Sequence, residues 1–152
     1  MKVSDVMTKQ LVVCLKWDTA QSVAALMKNH DIGSIPVVAD FVSKHLEGIV
    51  TDRDLCVRLV AENKDPRISQ VERFMTRNPI TCAPNDSLPH CEQLMRENRI
   101  RRIPVVDKQG QCVGIVAQAD IVLHDSPENV GQMMAVISTP RDGVFVGARA
   151  VA

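Results

Sequence analysis

The chain of 152 residues is poor in aromatic side chains and has no excess of charge of either sign. It contains three Phe, one Trp and no Tyr, so its core must be aliphatic. A platform that stacks single-stranded bases on aromatic rings is therefore disfavoured. Lys and Arg number 18, as do Asp and Glu, whereas a groove that binds many phosphates usually leaves a basic excess. Both shortages argue against nucleic acid as a partner.

The sequence also lacks membrane spans, a secretory signal and metal-site spacings. No window approaches the roughly 20 apolar residues that cross a bilayer, and the N-terminus has no cationic and apolar leader. We therefore expect a cytoplasmic protein with no membrane partner. The five cysteines include no Cys-x-x-Cys and the four histidines are scattered, so no metal site is predicted. The apolar surroundings of Cys14, Cys82 and Cys91 indicate reduced core residues.

An internal repeat is the main feature that the sequence does contain. The segment at residues 3–9 matches residues 71–77, and residues 31–38 match 99–106, both at an offset of 68. The residues of the first copy that are identical at this offset are Val3, Met7, Thr8, Cys14, Asp18, Leu26, Met27, Ile32, Ile35, Pro36, Val37 and Val38. Further on the offset falls to 66, where Gly48-Ile49-Val50 matches Gly114-Ile115-Val116. The first copy therefore carries two extra residues in a turn, where insertions are easily tolerated.

Each copy predicts the element order β-α-β-β-α, which is an α/β (α+β) fold. A short apolar strand (11–14 or 80–82) precedes a helix that begins after a polar capping pair, and a strand with Ile-Pro-Val-Val follows. A second strand with Gly-Ile-Val leads to a last helix that begins at Thr51 or Ala117. One unit of about 60 residues buries little core alone, so two copies should pack together.

The domain boundaries follow from the repeat. We expect the first repeat at 1–62, a linker at 63–69, the second repeat at 70–125, and a C-terminal helix and tail at 126–152. The last helix should start near Ser126-Pro127 and reach Ile137, with Met133-Met134 on its packing face. Residues 141–152 show no clear periodicity and indicate a loose tail or an added strand.

The repeated Met-Thr opening, the Ile-Pro-Val-Val strand and the run Gly48-Ile-Val-Thr-Asp-Arg-Asp-Leu55 resemble the cystathionine-β-synthase (CBS) domain. Two such copies form a CBS pair, or Bateman module, and the likeness extends to small stand-alone bacterial CBS-pair proteins. The resemblance implies a pseudo-two-fold pair of three-stranded sheets around a cleft with two ligand sites. It further implies adenosine-containing ligands (AMP, ADP, ATP, S-adenosylmethionine or NAD), no enzymatic activity, and a homodimer that signals to an unidentified regulated protein.

The first candidate site is centred on Thr51 and Asp54. One interpretation is an N-terminal helix cap, with Thr51 capping the helix and Asp54 bonding back. The other is a nucleotide site, in which the carboxylate accepts the ribose hydroxyls and the helix start holds a phosphate. By resemblance, Arg101 and Arg102 would complete this site as phosphate ligands. Alternatively they begin a solvated strand and pair with Glu92 or Glu97. The resemblance also places Ile49, Ile80 and Ile100 around the adenine here, although each could be plain core.

The second candidate site is centred on Asp120, with Ala117 in place of the hydroxyl residue. Gly33 and Ser34 occupy the positions that match the two arginines, so this site lacks their charge. By resemblance, Val12 and Ile115 would line it. The sequence therefore predicts that the Thr51 and Asp54 site binds a phosphorylated ligand better.

Two other functions remain open on the sequence. One is a ligand-free dimerisation scaffold whose cleft is only core. The other is an enzyme with Cys56 or Cys112 as nucleophile, which would need a lowered thiol pKa. We expect a non-catalytic sensor of adenine nucleotides.

Overall fold

In the computed structural model, which describes residues 1–139, the chain forms six helices and six strands within that range. The helices are α1 (Val3–Val6), α2 (Ala20–His30), α3 (Asp52–Leu55), α4 (Leu88–Asn98), α5 (Gln118–Val122) and α6 (Pro127–Ser138). The strands are β1 (Cys14–Leu15), β2 (Ser34–Val38), β3 (Leu46–Thr51), β4 (Thr76–Arg77), β5 (Arg102–Val106) and β6 (Cys112–Ala117). A π-helical turn at Cys56–Val60 continues α3, and a 3-10 turn spans Val71–Arg73. The predicted mixed α/β fold of tandem repeats is confirmed.

The long helix of each repeat begins and ends in the same way, because the capping residues are repeated. The hydroxyl of Thr19 accepts a hydrogen bond from the backbone of Ser22 at the start of α2, and Ser87 caps α4 in the same manner. Asp31 and Arg99 end the two helices in the left-handed conformation, with φ of 53° and 50°. These turns direct β2 and β5 back along the helices.

The first sheet has the strand order β1-β2-β3-β4, and β5 pairs with β6 in the second. The β2–β3 and β5–β6 pairs are antiparallel, and β1 runs parallel to β2. The strand predicted at 11–14 is formed only from Cys14, and the one at 80–82 is reduced to a single parallel pair between Cys82 and Val105. The hairpins of the two repeats also touch, because Leu46 N donates to Gly110 O at 3.0 Å.

The opening segment of each repeat packs on the sheet of the other repeat. Thr8 pairs with Ile115 of β6, and α1 hydrogen bonds to the backbone before α4, with Val3 N donating to Asp86 O at 2.9 Å. In the same way β4, from the second repeat, pairs with β3 of the first. The domain boundaries proposed from the sequence remain a prediction. The hydrogen bonds show that the first residues of each repeat pair with the sheet of the other repeat.

Two aliphatic cores lie under the two sheets. The first contains Cys14 of β1, Phe74 after the 3-10 turn, and side chains of α2, β2 and β3. The second contains Cys91 and Met95 of α4 together with side chains of β5 and β6. The predicted packing face of α6 is formed by Met133 and Ile137, which are buried in the second core. The tail predicted at 141–152 lies outside the described residues. Among residues 1–139 no helix is both long and apolar enough to cross a membrane.

Candidate functional site

A cleft of about 240 Å³ opens between the two repeats. Its walls come from the segment after α1, the α2–β2 connection, the start of β5 and the β6–α5 connection. The lining residues are Thr8, Gln10, Leu11, Val12, Asp31, Ile32, Gly33, Ser34, Pro36, Arg102, Ile115, Ala117 and Asp120. We call this space the Asp120 cleft. Its volume is just below the roughly 300–1,000 Å³ of typical small-molecule pockets.

The Asp120 cleft brings together the residues that the sequence assigned to the second site. Val12 and Ser34 come from the first repeat, whereas Ile115 and Asp120 come from the second. Arg102 lines the same cleft, although the resemblance predicts it at the Thr51 and Asp54 site. The sequence did not show this position because it depends on how the two repeats pack.

The Asp120 carboxylate is only partly used by the protein. Asp120 lies in the first turn of α5, and its Oδ2 accepts a hydrogen bond from Ala117 N at 2.7 Å. Its Oδ1 has no hydrogen-bonding partner among residues 1–139. The Nδ1 of His124 lies 2.7 Å from the backbone oxygen of Asp120, and within residues 1–139 no histidine forms an ion pair with the Asp120 carboxylate. One carboxylate oxygen therefore remains available to a ligand that enters the cleft.

Thr51 and Asp54 form the helix cap that the sequence suggested as one interpretation. The hydroxyl of Thr51 donates to Asp54 Oδ2 at 2.8 Å and accepts from Asp54 N at 3.2 Å. Thr51 N also donates to Asp54 Oδ2, at 2.9 Å. The remaining oxygen, Oδ1, lies 3.5 Å from Arg58 Nε. Both groups are thus engaged within α3 and the turn after it, unlike Asp120.

The two adjacent arginines have different surroundings. Arg101 is exposed, and its backbone oxygen accepts a hydrogen bond from Gln118 N at 2.8 Å. Arg102 is half-buried at the start of β5. The alternative pairing with Glu92 or Glu97 is not found, because no carboxylate of residues 1–139 lies within 4.0 Å of either guanidinium.

The three isoleucines assigned to the adenine of the first site lie in different environments. Ile49 is buried in β3, Ile100 is half-buried against the second core, and Ile80 is 38% exposed. Three residues that line the Asp120 cleft, Thr8, Asp31 and Ile32, were not predicted as site residues. Thr8 and Ile32 are identical in the two repeats, and this identity could have indicated them as candidate site residues. Asp31 is not repeated, so the sequence offers no such indication for it.

Cys112, the buried candidate nucleophile, gives no support to a thiol-dependent enzyme, and neither does Cys14. Burial raises the pKa of Cys112 to about 11 and that of Cys14 to about 12, so both remain thiols at neutral pH. Cys56 is exposed. The prediction that Cys14, Cys82 and Cys91 are free and buried is confirmed. No group of three or more His, Cys, Asp or Glu side chains that could hold a metal ion occurs within residues 1–139.

The family model described as "CBS domain" matches this chain twice, at residues 3–61 and 69–126. The chain belongs to the CBS domain family. The two matches correspond to the two repeats, so the described fold is a CBS pair. The CBS domain-containing protein YhcV of Bacillus subtilis is 39% identical over 137 residues, which are 90% of this chain and 94% of YhcV.

Two solved CBS pairs with similar folds carry adenosine-containing ligands. The CBS domain pair of MJ0100, in complex with 5′-methylthioadenosine and S-adenosyl-L-methionine, superposes with a TM-score of 0.72 and 31% identity, over 81% of this chain and 94% of that one. CBSX2 in complex with AMP has a TM-score of 0.70 and 26% identity, over 80% of this chain and 93% of its own. These ligands belong to those two proteins.

Proposed function

We propose that this CBS pair is a non-catalytic regulatory module that binds an adenosine-containing ligand in the Asp120 cleft. The observation that carries the proposal is that both repeats line one cleft, which holds a carboxylate with an unused oxygen. A ligand there contacts both halves of the molecule. Two related CBS pairs with AMP, or with 5′-methylthioadenosine and S-adenosyl-L-methionine, support this ligand class.

The chemistry of the cleft suits a nucleoside. The free Oδ1 of Asp120 can accept hydrogen bonds from the ribose hydroxyls, as acidic residues do in other nucleotide-binding folds. Val12, Ile32, Pro36 and Ile115 present aliphatic surface to the flat face of a base. The ligand would be AMP, ADP, ATP, S-adenosylmethionine or NAD.

The structural contacts favour the Asp120 site over the Thr51 and Asp54 site, in contrast to the ranking proposed from the sequence. A ribose at Asp54 would compete with the Thr51 hydroxyl, the Thr51 amide and Arg58. A ribose at Asp120 could bind Oδ1 without displacing any hydrogen bond or ion pair of the described residues. We therefore propose the Asp120 cleft as the stronger of the two sites.

Isothermal titration calorimetry with AMP, ADP, ATP, S-adenosylmethionine and NAD tests the proposal. Asp120→Asn should weaken binding about tenfold or more, because the uncharged amide makes a weaker contact with the ribose. The amide oxygen can still accept from Ala117 N, so the helix start is kept. Asp54→Asn is the matched control and should bind nearly as the wild type does. If no compound binds, or if only Asp54→Asn loses affinity, the assignment is wrong.

We further propose that ligand binding is transmitted through a homodimer. The last helical turns of the two repeats expose apolar side chains at matching positions, with Val57 at 51% and Leu123 at 79% exposure. Val60 and Val122 extend these surfaces. A ligand that prefers one arrangement of the repeats would shift the population of dimer or partner-bound states.

Light scattering after size exclusion tests the dimer. Leu123→Asp should produce monomers, whereas Val42→Asp, at a 94% exposed position in the β2–β3 turn, should leave the mass unchanged. A monomeric wild type contradicts the dimer. A wild-type dimer that binds none of the adenosine compounds would instead favour the second candidate, a ligand-free scaffold.

A further inference from the structure

Two buried thiols of the second repeat lie side by side. Cys82 belongs to the segment that pairs with β5, and Cys91 lies on the buried face of α4. They are 2% and 0% exposed, and both belong to the second core. The two thiols share a side-chain hydrogen bond, in which Cys91 donates to Cys82. The fold therefore brings together two sulfur atoms from residues nine positions apart in the chain.

The first repeat has only one of these two thiols. Cys14 occupies the position that matches Cys82, whereas Val23 occupies the position that matches Cys91. Both Cys14 and Val23 are completely buried in the first core, which contains no other cysteine among residues 1–139. A valine thus fills the equivalent position on the equivalent helix, so packing alone does not require sulfur at Cys91. Cys14 is the matching thiol without a thiol partner.

The hydrogen bond gives the two sulfur atoms different chemical roles. It lowers the pKa of Cys82, against the opposing effects of burial and of Asp86, because a donated hydrogen bond stabilises the thiolate. The same bond raises the pKa of Cys91, which keeps its proton. Burial raises the pKa of Cys14 to about 12. Cys82 is therefore the thiol of the pair that more readily becomes a nucleophile, and Cys91 lies next to it.

The segment that carries Cys82 is attached to β5 by few contacts. Cys82 N donates to Pro104 O at 3.2 Å, and Val106 N donates to Cys82 O at 2.9 Å. Ile80, two residues earlier, is 38% exposed. Short edge segments of this kind open locally at a lower free-energy cost than the whole domain. Such opening admits a small oxidant to Cys82 while Cys91 stays on α4.

We propose that Cys82 and Cys91 are a redox-modification site, at which hydrogen peroxide converts the two thiols into a reversible disulfide. The Cys82 thiolate attacks one peroxide oxygen and the O–O bond breaks, which leaves a sulfenic acid on Cys82. The departing hydroxide takes up the proton that Cys82 released and becomes water. The Cys91 sulfur then attacks the Cys82 sulfur, the S–S bond forms, and the hydroxyl group leaves as water with the Cys91 proton. Two thiols lose two electrons, and the peroxide is reduced to two molecules of water.

Peptide mass mapping after oxidation tests the disulfide. Trypsin cleaves after Lys and Arg, so residues 78–96 form one peptide that contains both thiols. The folded chain is treated with hydrogen peroxide for a prolonged time, catalase removes the oxidant, and free thiols are alkylated in urea. Peptide 78–96 should then be two hydrogen atoms lighter and carry no alkyl group. Dithiothreitol should restore two alkylated thiols, and Cys14 should be alkylated in every sample.

Two variants assign the disulfide to this pair. Cys91→Val is the matched variant, because it introduces the residue that the first repeat carries at this position. Its peptide 78–96 should never lose two hydrogen atoms, since Cys82 then has no partner thiol. Cys56→Ser is the control, because it removes the exposed thiol and should leave the disulfide unchanged. Oxidation should also raise the urea midpoint of the wild type and not of Cys91→Val, because a disulfide constrains the unfolded chain.

The possible outcomes decide the proposal without reference to nucleotide binding, because neither Cys82 nor Cys91 lines the Asp120 cleft. If both thiols of peptide 78–96 remain alkylatable after Cys56 has been oxidised, the proposal is wrong. It is equally wrong if the disulfide joins other cysteines, or if it disappears in Cys56→Ser. Should Cys91→Val not fold, the wild-type mapping and Cys56→Ser decide.

Discussion

Glu92 is a buried carboxyl group whose ionisation should make stability depend on pH. It lies in α4, is 5% exposed, and its Oε1 has no hydrogen-bonding partner among residues 1–139. Burial raises the pKa of Glu92 to about 7, helped by the nearby carboxyl of Asp125 and opposed by Arg96. Glu92 and Asp125 share a hydrogen bond that lowers the pKa of Asp125, so Glu92 holds the proton.

The direction of the effect follows from proton binding. Glu92 has an ordinary pKa of 4.5, so between that value and about 7 the folded chain keeps a proton that the unfolded chain has lost. The free energy of unfolding should therefore fall as pH rises through this window. The difference between the two pKa values corresponds to at most about 3 kcal/mol. The lowered pKa of Asp125 acts at more acidic pH, below 3.8, and increases stability as pH rises there.

Urea unfolding at pH 5, 6, 7 and 8 measures this dependence. Glu92→Gln should be about as stable as the wild type at pH 5, because the amide is neutral and can still donate to Asp125. At pH 8 it should be more stable, by up to about 3 kcal/mol. Glu97→Gln, on the exposed side of the same helix, is the control and should follow the wild-type curve. If wild type and Glu92→Gln remain parallel across this range, Glu92 does not titrate as described.

Three further predictions concern the helix cap, the crossing segments and the thiols. Thr51→Ala should lower the free energy of unfolding by about 1 kcal/mol, measured in urea, because it removes the helix cap. Gly48→Ala should cost about 1–3 kcal/mol, since its Cβ would meet a backbone oxygen of β4 at 2.7 Å. Gly114→Ala should cost less in the same assay, because its obstacle is the flexible Met7 side chain. Brief alkylation at neutral pH should modify one thiol, Cys56, in the intact mass, and a second modified thiol would contradict the described burial.

The repeated architecture could be predicted because the local signals occur twice. Thr19 and Ser87 cap equivalent helices, and the two Ile-Pro-Val-Val segments contribute to equivalent strands. The Thr51 and Asp54 cap was also readable, because its residues are three positions apart in the chain. These features depend on residues that are close together in the chain, so they can be predicted from one sequence.

The features that were missed depend on contacts between distant residues. The opening segments of the two repeats are similar, so their sequences do not indicate on which sheet each will pack. The position of Arg102 in the Asp120 cleft depends on the space at Gly33, 69 residues earlier. Helix α4, which carries Glu92, similarly packs against α6, which begins 35 residues later at Pro127.

The exchange of opening segments has a consequence for the order of folding. The opening segment of the first repeat, including α1, completes a sheet whose strands β5 and β6 are synthesised about a hundred residues later. The first sheet likewise cannot be completed until β4 has been synthesised, because β4 pairs with β3. Neither repeat can finish folding before the other has begun, and contacts of such sequence separation slow folding. A fragment with only one repeat would expose an unpaired strand edge, which is a site for pairing between chains.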